Sequence, residues 1–209
     1  MSVKPVLFNA EMVRAILAGI KTCTRRILKH PYEVYVNGMV VKHIGKNTVL
    51  EYPYKKGDIL YVRETFAWCP CWDCGMDTEQ GACTDHIYHS EKKEYGCYMY
   101  RASCEDNEYP SADTWHPSIH MPKEAARIWL KVTDVRVERL QDIDINGIRS
   151  EGLGSAAVHA GDMDIALEEW KILWDSTINK SDIDIYGWGA NPFVWVIEFE
   201  RCERPESEK

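Results

Sequence analysis

Ala126-Arg-Ile-Trp-Leu-Lys-Val-Thr-Asp-Val-Arg-Val137 is the stretch on which the fold turns. Ile128, Leu130 and Val132 alternate onto one face of a strand, whereas Val135 and Val137 fall on the other parity. A one-residue change of phase moves every later side chain to the opposite face. The slip near Thr133-Asp134 therefore predicts a β-bulge or bend. Sheets that close on themselves need such corners.

Downstream, Asp144 to Glu151 predicts a short helix stopped by Gly152. Asp162 is placed to cap a second helix, whose Met163, Ala166, Leu167, Trp170 and Trp174 form one apolar stripe. Phe193 to Phe199 is apolar on both faces, the pattern of a central strand. Upstream, Lys4 to Phe8 reads as a strand. Asn9 follows as a helix N-cap, with Met12, Val13, Ile16 and Leu17 at helical spacing and Gly19 as the stop. Residues 32–56 are rich in Tyr, Val and Lys, with turns at Asn37-Gly38 and near Gly45, and predict short antiparallel strands. Gly57-Asp58 turns the chain into a strand over Ile59 to Glu64. Residues 68–112 hold most of the cysteines, many acidic residues and little apolar periodicity, so they read as an insertion. The expected organisation is one α+β domain over 1–203, a small mixed β-barrel flanked by helices with a Cys-rich insertion at 68–112, and a charged tail at 204–209.

The chain has 209 residues, 45% of them hydrophobic and 11% aromatic, enough to bury a core and to exclude a disordered chain. Its formal charge is −8. A protein that coats duplex phosphates is basic over the whole domain, so any nucleic-acid contact is expected in a local cationic pocket. No apolar signal core and no membrane-length apolar run is visible, which predicts a cytoplasmic protein whose eight cysteines are thiols or metal ligands.

Four clusters carry chemistry. Lys21-Thr22-Cys23-Thr24-Arg25-Arg26, with Lys29 and His30 behind, gathers cations and hydroxyls at a helix end. Part of that charge is explained by the helix dipole, about 0.3–1 kcal/mol per cation. The interleaved hydroxyls favour an anion or carbonyl site over a plain solvated loop. Glu151-Gly152, at the end of a helix, reads locally as surface. Trp115-His-Pro-Ser-Ile-His-Met-Pro122 is a segment stiffened by two prolines, either a lead-in to the long strand or a pocket wall carrying Trp115 and Ser118. Cys69, Cys71, Cys74 and Cys83 approach the ligand spacing of a structural zinc site, with His86, His89, Cys97 and Cys104 as alternatives. A loop too polar to build a core gains order from a metal; a reduced, metal-free loop is the other reading.

In order along the chain, Lys4-Pro-Val-Leu-Phe8, Met12 through Arg26, Gly57-Asp-Ile-Leu-Tyr-Val-Arg-Glu-Thr65, Tyr100-Arg-Ala102, Trp115 through Pro122, Ala126 through Ile143, Glu151-Gly152 and Asn191 through Phe199 together resemble the ASCH domain, in particular its phage and prophage type. The resemblance implies a PUA-like β-barrel and binding of RNA or nucleotides. Some small ASCH proteins are amidohydrolases that remove the acetyl group from acetylcytidine. Their catalytic Lys and Thr match Lys21 and Thr24, and their catalytic Glu matches Glu151.

Three functions follow. The first is an RNA- or modified-nucleoside-binding module, with Arg25, Arg26 and Lys29 at phosphate, a Trp such as Trp115 stacked on a base, and Arg63 and Ser118 as further binding residues. The second is an amidohydrolase, with Lys21 as base, Thr24 as nucleophile or water-positioning hydroxyl, and Glu151 protonating the leaving amine. The third is a non-enzymatic phage accessory protein that makes contacts through the zinc loop. No organic cofactor is expected.

Overall fold

The computed structural model describes residues 2–29, 53–70, 87–89, 91–104 and 114–206, and the backbone of 32–33 and 42–43. In chain order the elements are β1 (Val3–Leu7), α1 (Ala10–Leu17), β2 (Cys23–Ile27), β3 (Tyr32–Glu33), β4 (Lys42–His43), β5 (Ile59–Arg63), β6 (Phe66–Pro70), β7 (Ile87–His89), β8 (Glu94–Tyr100), β9 (Trp129–Arg139), α2 (Ile145–Ser150), α3 (Ala156–Ala160), α4 (Met163–Ser176), α5 (Ile183–Tyr186) and β10 (Phe193–Cys202). The chain divides into two compact units.

One unit comprises Met1–Ser2, Ala15–Ile59 and Leu130–Cys202. Its strands run in the order β9-β10-β2. β10 and β2 are antiparallel, with Val194 opposite Ile27, Val196 opposite Arg25 and Glu198 opposite Cys23. Alternation then puts Cys23, Arg25, Val194 and Val196 on one face and Thr24, Arg26, Trp195 and Ile197 on the other. Helices cover the first face: Cys23, Val194 and Val196 share a buried cluster with Leu140, Ile143, Ile148, Val158, Ala166, Trp170 and Trp174. The helix boundaries have local causes. Asp144, Ser155 and Asp162 each accept a backbone N–H of the first turn, and Gly161 ends α3 in the left-handed region at φ 75°. Thr133, Arg136 and Glu138 of β9 all line one cavity, so its lining draws on both parities of the strand.

The other unit comprises Val3–Arg14, Leu60–Trp129 and Glu203–Lys209. β1 lies beside β5, and β6-β8-β7 form a three-stranded antiparallel sheet. In that sheet Trp68 lies opposite Tyr98 and Cys69 opposite Cys97. A Cβ at Gly96 would stand 2.4 Å from Trp68 Cζ2, so glycine is required for the indole to lie flat there. Glu64, buried, forms a fork with Arg127 at 2.9 Å to each oxygen, and that guanidinium covers the Tyr100 ring at 4.0 Å.

The mixed α+β class is as expected, whereas closure is not. The strand order of every sheet among the described residues is open, so they form no barrel. The segment read as an irregular insertion also differs: its described residues supply most of the β6-β8-β7 sheet. The sequence reading missed this because Trp68, Tyr98 and Gly96 pair by shape, and the short strands show little apolar alternation. The strands expected over 32–56 are described only at Tyr32–Glu33 and Lys42–His43, which pair antiparallel.

Candidate functional site

The site is built where α1, β2 and α2 deliver their ends. Gly19 closes α1 at φ 73°, and the amides of Ile20 and Lys21 both bond the Ala15 carbonyl, at 2.9 and 3.1 Å. The Thr22 amide bonds the Ser150 carbonyl at 2.9 Å, and its own carbonyl accepts the Phe199 amide at 2.9 Å. Lys21 is thereby fixed against the C-terminal end of α2, where Glu151 is the capping residue.

The Lys21 side chain is fully buried, and that of Glu151 is 4% exposed. Lys21 Nζ donates to Glu151 Oε2 at 2.8 Å and to the Glu151 carbonyl at 2.7 Å. Arg25 adds a second cation: Nη1 donates to Glu151 Oε1 at 3.3 Å, and Nη2 to Glu138 Oε2 at 3.4 Å. Its Nε is buried and has no hydrogen-bond partner. Cys23 Sγ lies 3.9 Å from Glu151 Oε1. Burial pushes that thiol up to about 12, with the Glu151 charge adding to the effect, so it is a protonated thiol and no nucleophile at neutral pH.

A cavity of about 500 Å³ opens beside this network. Cys23 and Arg25 belong to both. The remaining lining includes Thr133, Arg136, Glu138, Asp142, Asp144, Asn146, Ser150 and Glu198. Arg136 bridges Glu138 and Glu198. Burial alone would lower its protonation, but the hydrogen bonds to those two carboxylates outweigh it and hold the guanidinium firmly charged.

The residues singled out in the sequence are distributed as follows. Lys21 and Glu151 are in direct contact. Thr24 is buried too, but alternates onto the face of β2 opposite to Cys23 and Arg25, the two side chains of that strand that meet Glu151. Arg26 is half-buried; burial pulls its ionisation down, while the nearby Tyr54 and Glu151 pull it up. Lys29 is exposed. Arg63, Trp115 and Ser118 belong to the other unit. There Arg63 donates to the Ile119 carbonyl, Arg101 lies 5.7 Å from the Trp115 ring, and Ser118 opens a single 3₁₀ turn.

Of the expected metal ligands, Cys69 is buried on β6 and faces Cys97 across the ladder. His89 packs edge-on to Trp68, with ring centroids 5.0 Å apart. Cys71, Cys74, Cys83 and His86 lie outside the described residues, as does His30. Among the described residues no group of three or more metal-ligating side chains occurs.

Sequence reasoning missed Arg136, Glu138, Asp142, Asp144 and Glu198. A signal for two of them existed: Arg136 and Glu138 alternate with Val135 and Val137, so the polar face of that strand carries an Arg-x-Glu pair. Only its apolar positions were used.

No protein-family model matches the chain, and no curated protein matches it. One solved structure is similar, an ASCH domain from Lactobacillus crispatus, at 11% identity and a TM-score of 0.36, over 96% of this chain and 79% of that one. A likeness at that level decides neither fold nor function, so the functional reading rests on the site. No helix among the described residues is long and apolar enough to cross a membrane.

Proposed function

We propose that the chain binds a nucleoside, free or within RNA, in the cavity beside Lys21, Arg25 and Glu151. The observation that supports this most is the buried Lys21–Glu151–Arg25 network abutting that cavity. Two charges taken out of water gain little over apolar packing, so such a network is weak as a device for stability alone. Here it fixes Arg25, which faces a cavity of ligand size with donors and acceptors mixed along its wall. Nucleobase edges offer the matching mixture. Cys23 is no reactive group, which fits binding better than covalent chemistry.

The test is a titration of the protein with the four ribonucleosides, followed by amide chemical shifts. Shifts should concentrate on residues 142–150 and on Arg25, Arg136 and Glu138. Asn146 is exposed on the cavity wall, so Asn146→Trp should block binding while leaving the fold intact. Binding that survives this substitution unchanged, or shifts that fall elsewhere, would refute the assignment.

The 2.8 Å Lys21–Glu151 contact favours a second reading, amide hydrolysis on an acylated cytidine-type nucleoside, with that pair moving the proton. The opposite facing of Thr24 weighs against its joining them. Absence of acetate release from acetylcytidine by the purified protein would end this reading. A zinc ion held in part by Cys69 is likewise a proposal, and metal analysis of the purified protein decides it.

A further inference from the structure

We infer that the cavity selects uncharged ligands bearing an exocyclic amine and rejects their phosphorylated forms, so that the natural ligand is a free base or nucleoside rather than a nucleotide or RNA. The inference rests on the nucleoside reading above and narrows it.

The charges of the wall make the case. Two guanidiniums, Arg25 and Arg136, face four carboxylates, Glu138, Asp142, Asp144 and Glu198, a formal excess of two negative charges. Both cations already hold carboxylates. Arg25 gives Nη1 to Glu151 and Nη2 to Glu138. Arg136 gives Nε to Glu138 and Nη1 to Glu198 and Asp134. Phosphate recognition by arginine uses two parallel N–H groups of one fork. In the Arg25 fork both Nη atoms already hold carboxylates, Nη1 also reaches Cys23 Sγ at 3.7 Å, and Nε is buried and unpartnered.

An N–H of these guanidiniums that carries no carboxylate suits a neutral acceptor, such as a carbonyl oxygen or an unprotonated ring nitrogen. Around it, Asp142 and Asp144 are exposed carboxylates that only accept. Asp144 Oδ1 takes the Gly147 amide at 2.7 Å, which leaves its other oxygen for a ligand. The complementary molecule therefore presents an acceptor flanked by N–H groups and carries no negative charge. Glycine at 147 preserves the room this needs: a Cβ there would stand 3.1 Å from Arg25 Nη2 and 2.9 Å from Ile143 Cγ1.

The experiment compares Kd values for adenosine, cytidine, uridine, their 5′-monophosphates and a mixed-sequence RNA oligomer on the intact chain. The variant is Asp142→Asn/Asp144→Asn, in which asparagine keeps the helix cap. The amino-bearing nucleosides should bind at least about fivefold more tightly than their monophosphates, the effect of unit charges meeting across a partly solvated gap. The double substitution should bring that ratio close to one. Three outcomes overturn the inference while leaving the nucleoside reading intact: monophosphate or RNA binding as tightly as nucleoside, uridine matching cytidine, or a ratio indifferent to the double substitution. If neither nucleoside, monophosphate nor RNA binds, the reading beneath it fails instead.

Discussion

Glu151 holds two cations at once, and that makes it the residue on which the site depends. Its carboxylate pairs with Lys21 Nζ and is one of two that hold Arg25. Removing one member of a buried pair leaves the other charged and uncompensated, at a cost of about 3–5 kcal/mol, while removing both is far milder. Glu151→Gln should therefore lower the urea midpoint sharply with an unchanged slope, and Lys21→Met added to it should restore more than half of the loss. Equal, additive losses in the two single variants would show that the pair does not act as a unit. Cys23 gives a second prediction at this scale. Its ionisation is raised from an ordinary 9.0 to about 12 in the folded chain, so the folded state holds the proton more tightly than the unfolded one. The resulting stability is complete below pH 9 and is lost as pH climbs from 9 towards 12. Tyr54 and Cys202, also raised by burial, act in the same direction. Cys23→Ala should flatten, without abolishing, the fall in stability measured between pH 8 and pH 10.

At the scale of elements, the end of α2 sets where Glu151 stands. Gly152 follows it at φ 99°, and a Cβ there would come within 3.0 Å of the Ala15 Cβ and 3.1 Å of the Lys21 Cβ. Gly152→Ala combines backbone strain of about 1–3 kcal/mol with displacement of Lys21. It should both destabilise the chain and weaken ligand binding, whereas Gly161→Ala, also at positive φ but with nothing within 4 Å, should lose stability alone. Calorimetry and a nucleoside titration on the two variants separate these effects. The same elements show what was legible in advance. The α4 stripe of Ala166, Trp170 and Trp174 was readable because a helical period repeats several times within one segment. Lys21 stands out locally in its cationic run, whereas Glu151 joins it only through the resemblance and locally reads as a surface residue. A carboxylate is buried only by partners about 130 positions away along the chain, and no local pattern carries that. The acidic wall was illegible for a similar reason. Glu138, Asp144 and Glu198 sit on three elements, and only the β10–β2 register and the packing of α2 bring them to one cavity.

Over the whole molecule, 33 acidic residues outnumber 25 basic ones, and the folded arrangement sharpens that imbalance where it matters. The basic run at 21–29 looked like a corner for phosphate. In the structure Lys21 and Arg25 are buried on carboxylates, Arg26 is half-buried, and Lys29 is exposed. Duplex binding relies on many open cations, each releasing counterions. Six to ten phosphate contacts make affinity fall about 10³–10⁵-fold between roughly 50 and 200 mM salt. A chain that buries Lys21 and Arg25 on carboxylates and lines its cavity with an excess of them should do neither. It should fail to retard a short DNA or RNA duplex at about 150 mM salt. Its affinity for a nucleoside should change by less than about twofold across that salt range, because no phosphate contact is made or broken. A steep salt dependence would mean that cations outside the described cavity carry the binding, and that the ligand is a polymer after all.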